Sequence, residues 1–252
     1  TIRFISLMTS RLGHLALNPE VYLLEKKEFK SSIKYLDLFF TSRYGICNYE
    51  LLKLRKKKIK IYLYFLLEPI YNLFNFIYKS NPNEHTIPFF GGKTTDPDFL
   101  FEKYKPSIQL TNSQNRICES ILLENGIDIN SIRFACLFNR DDAYFNSFKY
   151  KKNQYYLSHH NYPISQFTMA AELLANRDVY VFRMGAKVEG VFNLNNPKII
   201  DYANSKFRSE LMDIYLASKC LFGITCGTGS SAIAQVFRKP MLDLNANLLH
   251  IQ

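Results

Sequence analysis

The sequence predicts an α/β protein built from two Rossmann-like halves that face a central cleft. Three observations carry that expectation. Short runs rich in Val, Ile, Leu and Phe recur along the 252 residues, as strands of a parallel sheet buried on both faces require. Amphipathic stretches of helical period alternate with them, which is the pattern of βαβ units. The alternation also restarts after Gly126, a residue suited to stop the helical stretch "NSQNRICESILLE" because glycine accepts left-handed backbone there.

Taken in order, "IRFISLM" reads as the first strand and "RLGHLALNPEVYLLEKKEF" as a turn followed by a helix. Asn18 and Pro19 suit its N-cap and first turn, since Asn caps open amides and Pro lacks the donor that would go unpaired. "YLDLFFTS" is a buried strand, "ICNYELLKLRKKK" a helix, "IKIYLYFL" extended, and a further helix follows Pro69. A loop rich in Pro, Gly and Asn spans residues 80 to 98. The second half then offers strand 132–138, helix 165–176, strand "DVYVFRM", short strand "KIIDY", helix 207–218, strand "CLFGIT", helix 230–237 and strand "PMLDL". The expected domains are therefore 1–128 and 129–252. The second is expected to be truncated, because the chain stops soon after an apolar run and begins without Met.

Hydrophobic residues at 47% and charged residues at 21% describe an ordinary globular protein, and no apolar leader follows a basic cluster at the N-terminus. The five cysteines are odd in number, widely spaced and never form C-x-x-C. That predicts reduced thiols in a cytoplasmic compartment rather than a zinc site or disulfide framework. The formal net charge is +10, and each half carries +5. Nucleic acid, an anionic membrane surface and phosphate-bearing small molecules all complement such a charge. No recognised nucleic-acid motif accompanies it, so no nucleic-acid partner is expected.

The chemistry is expected at the carboxyl ends of the second-half strands, where open α/β sheets bind ligands. In "GITCGTGSSA" a strand breaks into Gly227, Thr228, Gly229, Ser230 and Ser231 before a helix. The glycines allow tight turning and close approach, the serines can cap the helix, and its first amides favour an anion such as a diphosphate. In "CLFNRDDAYF" Arg140 follows a strand and is placed to grip phosphate oxygens bidentately, with Asp141 to orient it or to accept from a sugar hydroxyl. Arg183 ends the next strand and is expected on the same rim. In the first half, Gly13 and His14 follow the opening strand, where His14 can serve as acid, base or phosphate contact. His159 and His160 lack metal-ligand spacing and read as loop residues. The run "KLRKKKIK", from Lys53 to Lys60, holds six basic residues beside an apolar, aromatic stretch. It reads either as a solvated face or as a contact with anionic lipid.

The stretches "RLGHLALNPEVYLLE", "FACLFNRDDAYF", "AAELLANRDVYVFRMG", "NNPKIIDYANSKFRSELMDIYLASKCLFGITCGTGS" and "FRKP" resemble, in order and spacing, a family of glycosyltransferases encoded in bacterial surface-polysaccharide gene clusters for O-antigen or capsule. The resemblance runs from near residue 3 to near 244. It implies the two-domain GT-B architecture, a nucleotide-diphosphate sugar bound chiefly by the second domain, and a glycan or lipid-linked glycan acceptor bound chiefly by the first. It assigns Arg140, Asp141, Arg183 and the Gly227–Ser231 turn to the donor site and brings Arg208, Ser209 and Asp213 of "FRSELMDIY" near the nucleotide. "HHNYPI" departs from the family, with Asn161 and Pro163 in place of an acid and an Arg. The expected activity is metal-independent sugar transfer without a cofactor, in the cytoplasm or peripherally on the inner face of the membrane. A nucleotide-sugar epimerase on the same scaffold, a basic nucleic-acid-binding protein and a non-catalytic carbohydrate-binding paralogue are the alternatives.

Overall fold

The computed structural model describes residues 2–29, 35–77, 96, 98–141, 143 and 161–244. The chain divides into two compact units, Thr1–Gln109 and Leu110–Gln252.

In the first unit, strands β1 (Ile2–Ser6), β2 (Leu36–Phe40) and β3 (Ile61–Tyr62) form a parallel sheet in that order, with Phe4 opposite Leu38 and Phe40 opposite Tyr62. Strand alternation sends Ile5, Leu7 and Phe39 to one face, under Tyr22 of helix α1 (Leu12–Glu28). Phe4 and Phe40 go to the other, where they meet Tyr71 and Phe74 of helix α3 (Tyr64–Ile77). Helix α2 (Tyr49–Lys56) packs beside α1 and is capped by Asn48, whose side chain accepts from Leu51 N at 2.7 Å. A short helix α4 (Leu100–Lys103) closes the unit.

Two local expectations are corrected. Helix α1 begins at Leu12, so Asn18 and Pro19 lie inside it, fully buried in Asn18's case, instead of opening it. "IKIYLYFL" is extended only at Ile61–Tyr62 and is helical from Tyr64, with Pro69 inside α3 rather than ahead of it. An aromatic-rich run at the edge of a sheet fits either period, and the packing of Tyr71 and Phe74 onto Phe4 and Phe40 selects the helix.

The second unit opens with helix α5 (Asn112–Glu124), fixed by a reciprocal capping box between Thr111 and Gln114 and followed by Gly126 at φ +79°. Its sheet runs β6 (Ile199–Ile200), β5 (Val179–Arg183), β4 (Arg133–Phe138), β7 (Gly223–Thr225), β8 (Met241–Asp243), all parallel. Helix α6 (Thr168–Ala175) buries Ala171 and Ala175 against Leu137, Val181 and Ile224. Helices α7 (Glu210–Lys219) and α8 (Ala232–Val236) complete the unit. The division falls before α5 and not at residue 128, because α5 packs on α7, with Tyr215 Oη donating to Glu119 at 3.2 Å and Cys118 buried. The five cysteines are unbridged, and all but Cys47 are buried.

Candidate functional site

From central strand β4 the second sheet proceeds to β5 and β6 on one side and to β7 and β8 on the other. The carboxyl ends of β4 and β7 therefore flank the topological switch point, where open parallel sheets hold ligands. Phe138 and Thr225 are in register there, so Asn139–Asp141 and Cys226–Ser231 leave the sheet side by side. Arg140 and the Gly-rich turn are thus brought together as expected.

Cys226, which sequence reasoning passed over as a core thiol, fastens the two segments. Its Sγ accepts from Arg140 N at 3.2 Å and lies 3.8 Å from the Phe138 carbonyl, to which it donates. Burial pushes the thiol's pKa up, so the proton needed for that second bond stays in place. The Arg140 carbonyl accepts from Tyr162 N at 2.9 Å, so this backbone is held from both sides. Asn139 was also missed. It is 7% exposed, its Oδ1 accepts from Arg183 Nε at 3.3 Å, and its Nδ2 has no partner among the described residues. Its position just before Arg140 in "FNRDD" was the available signal.

The turn needs glycine at Gly227, where φ is +73°. Thr228 N donates to Thr225 Oγ1 at 3.4 Å, Ser231 Oγ donates to the Thr228 carbonyl at 2.7 Å, and the Thr228 and Ser230 hydroxyls lie 3.2 Å apart. The serines do not cap a helix as expected. Gly229–Ser231 form a 3-10 turn ahead of the five-residue α8, and Ser231 is buried. The amides available to an anion are those opening this turn, at Gly229 and Ser230, which by position lack an intrahelical acceptor.

Arg183 is not on the rim. Its side chain is fully buried: Nη1 donates to the Gly190 carbonyl at 2.9 Å, Nη2 to the Glu189 carbonyl at 2.7 Å, and Asp201 and Asp141 lie 3.5 and 3.7 Å away. Burial lowers its pKa against the pull of both carboxylates. A guanidinium so engaged holds the loop after β5 in place and leaves no donor for a diphosphate. Asp141 is engaged in the same framework, its oxygens accepting from Ala143 N at 3.2 Å and Glu189 N at 2.8 Å. It acts as a brace and not as a loose acid or base.

Arg208, Ser209 and Asp213 are brought together where the segment after β6 enters α7. Ser209 caps the helix by accepting from Met212 N at 3.1 Å. Arg208 Nη2 meets Asp213 at 2.5 Å, and Tyr202 Oη donates to Asp213 at 2.8 Å. Burial pushes the Asp213 carboxyl up against the pull of Arg208 and Tyr202. This network lies at the same sheet edge as the switch point, since it follows a parallel strand, and Arg208 remains part-exposed there.

In the first unit, His14 sits in the first turn of α1, half-buried. Burial and Arg11 lower its pKa, with Asn18 acting the other way, and its buried Nδ1 has no partner among the described residues. The imidazole is therefore neutral at physiological pH and able to accept a proton. The basic run is split. Arg55 is fully buried, donating to Glu20 at 2.8 Å and to Ser107 Oγ at 2.8 Å, and Lys53 pairs with Glu50. Lys56, Lys57, Lys58 and Lys60 remain exposed. One D-x-D pair, Asp96 and Asp98, occurs in the sequence. The Asp96 carboxylate accepts from Leu100 N at 2.9 Å and Phe101 N at 2.6 Å and so caps α4. His159, His160 and Asp142 lie outside the described residues.

Neither a protein-family profile nor a curated protein sequence matches the chain. Among solved structures, E. coli ADP-heptose LPS heptosyltransferase II is 10% identical, with a TM-score of 0.52 over 96% of this chain and 83% of that one. E. coli heptosyltransferase WaaC with ADP is 10% identical, with a TM-score of 0.43 over 96% of this chain and 86% of that one. The first of these bears on the architecture: the chain has the α/β fold of two Rossmann-like domains found in GT-B glycosyltransferases.

Proposed function

We propose that this protein is a glycosyltransferase that moves a sugar from a nucleotide-diphosphate donor to a surface-glycan acceptor, free or lipid-linked, in the cytoplasm. The observation that carries this reading is the convergence of Arg140 and the Gly227–Ser231 turn on the switch point of the second sheet. It is strengthened by the fold shared with a solved ADP-heptose LPS heptosyltransferase.

In the proposed reaction the bond between the anomeric carbon and the diphosphate oxygen breaks, and an acceptor hydroxyl takes its place. Negative charge grows on the leaving diphosphate. The backbone that carries Arg140 is held by Cys226 and the turn that presents the Gly229 and Ser230 amides is closed by the Ser231–Thr228 bond, so the scaffold for stabilising that charge is set in advance. Arg183, Asn139 and Asp141 position this framework from beneath. His14, neutral and half-buried, is the proposed base for the acceptor hydroxyl, and Arg208, Ser209 and Asp213 are proposed to shape the nucleotide side. No metal enters this scheme.

The test is release of nucleoside diphosphate from a panel of sugar nucleotides mixed with a membrane extract as acceptor source, for the wild type and Arg140→Ala. Acceptor-dependent release that the substitution lowers by 100-fold or so, the usual loss for one electrostatic donor, supports transfer. Conversion of the sugar nucleotide without an acceptor would identify an epimerase instead.

A further inference from the structure

Asn139 is clamped at its root and at its tip. The Cys226 thiol holds the residues on either side of it, donating to the Phe138 carbonyl at 3.8 Å and accepting from Arg140 N at 3.2 Å, so the backbone that carries the side chain is tied to the turn after β7. At the tip, Arg183 Nε donates to Oδ1 at 3.3 Å. That bond settles which way round the amide sits. Nε carries a single hydrogen and a guanidinium never accepts, so only the oxygen can face it, and the amide nitrogen takes the other branch, away from Arg183. The residue is buried, and its Nδ2 has no partner among the described residues.

A buried donor left unpaired is destabilising, and folded proteins keep few of them without a use. This one lies one residue before Arg140, at the switch point where the Gly227–Ser231 turn leaves the sheet beside it. Its surroundings indicate what it meets. The Arg140 guanidinium and the Gly229 and Ser230 amides can only donate. The carboxylate and amide oxygens close by are engaged: Asn139 Oδ1 by Arg183, and Asp141 by Ala143 N at 3.2 Å and Glu189 N at 2.8 Å. A sugar hydroxyl brings a hydrogen that needs an acceptor of its own, whereas an ionised phosphate oxygen brings none. A site rich in donors, with those acceptors already used, suits the phosphate oxygen.

We propose that Asn139 and Arg183 work as a pair in donor binding: Asn139 Nδ2 donates to an oxygen of the diphosphate, and Arg183, which touches no ligand, is the positioning residue that keeps that nitrogen turned toward it. Nδ2 is shielded from water, as is Nε of Arg140, so the diphosphate reaches both as the Arg140 side chain turns outward to grip it. The inference rests on the reading of this edge as a nucleotide-diphosphate site. It is tested by titration calorimetry of the full chain with UDP, GDP, dTDP and ADP, and by displacement of the nucleotide that binds with inorganic pyrophosphate. The proteins compared are wild type, Asn139→Asp, Asn139→Ala, Arg183→Met and the double variant Asn139→Ala with Arg183→Met, each melted without ligand to check its fold. Asn139→Asp keeps the oxygen that Arg183 needs and replaces only the nitrogen. Its unliganded midpoint should therefore hold while nucleotide affinity falls roughly 100-fold, through one lost charged hydrogen bond and one added like charge. Pyrophosphate, which has no ribose, should lose affinity by a similar factor. Asn139→Ala should bind roughly tenfold more weakly than wild type. Arg183→Met should weaken binding when Asn139 is present and add nothing further when it is Ala, because its effect runs through that amide. This cycle decides the matter by itself if the Asp variant melts early. An Asn139→Asp protein that folds and binds like wild type would overturn the inference and leave the nucleotide site standing. So would equal effects of Arg183→Met with and without Asn139, or a pyrophosphate affinity that Asn139→Asp leaves unchanged. If wild type binds none of the four nucleotides, the sugar-transfer reading falls and this inference falls with it.

Discussion

Each unit of the molecule buries one arginine completely, and the two arginines do different work. Arg55 in the first unit joins α2 to α1 through Glu20, itself fully buried, and reaches Ser107 near the end of the unit. Arg183 in the second unit joins no pair of helices. It holds the loop carbonyls of Glu189 and Gly190 together with Asp141, Asp201 and Asn139, all around the end of the sheet where the candidate site lies. The first arginine secures a fold, and the second secures a site. A buried cation is tolerable only when carboxylates and hydrogen-bond acceptors offset its desolvation, and the identity of those acceptors reveals which of the two it serves.

The sharpest way to break this comparison is to remove one partner from each cluster. Glu20→Ala strands a charge in a fully closed environment and is expected to destabilise the first unit by about 3–5 kcal/mol, read as a lowered urea midpoint. Arg183→Met leaves carboxylates that water partly reaches, so the expected stability loss is smaller, about 1.5–3 kcal/mol. Its distinguishing effect is weakened nucleotide binding, which titration calorimetry would detect and which Glu20→Ala should leave unchanged. Equal effects of both variants on binding would end the distinction.

Gly227→Ala should cost about 1–2 kcal/mol, because φ there is +73°. A thermal melt reads that loss, and binding should fall with it. Acid sharpens the contrast further. Burial pushes Glu20 up, but Arg55 and Ser107 overcome it and hold the carboxyl below its ordinary value. Arg3 and Tyr22 likewise depress Asp37 against its burial. Both groups therefore stabilise the first unit above pH 4.5, and this contribution is lost as pH falls through their folded values. Asp213 in the second unit is raised, so its contribution is present at low pH and lost on the way up. Intrinsic-rate-corrected hydrogen exchange should accordingly show peptides of α1 opening before those of α7 as pH drops below about 4.5. The reverse order would contradict the assignment.

Much of this was legible in the sequence. The alternation of strands and helices, the stop at Gly126 and the pairing of Arg140 with the Gly-rich turn all follow from local pattern, and the shared edge of parallel strands then brings the latter two together. The placement of the arginines was not legible. Arg55 sits in a basic run and Arg183 at a strand end, and each looks exposed until Glu20, 35 residues away, or Asp201, 18 residues away, is folded against it. The serines of the turn read as caps because Ser is a capping residue, but a 3-10 turn placed Ser231 inward. Cys226 gave no signal, since a thiol that joins two backbone segments has the same sequence appearance as one that merely fills a core.

The measurement that tests the central claim most directly is thermal unfolding of the full chain against UDP, GDP, CMP, dTDP and ADP, repeated with Arg140→Ala. A ligand specific to the native state adds about 2.7 kcal/mol at a hundredfold excess over its dissociation constant. The prediction is a raised midpoint with one nucleotide of this set and its loss in the variant. No shift with any nucleotide, or a shift that survives Arg140→Ala intact, would contradict a nucleotide-sugar site at the β4–β7 switch point.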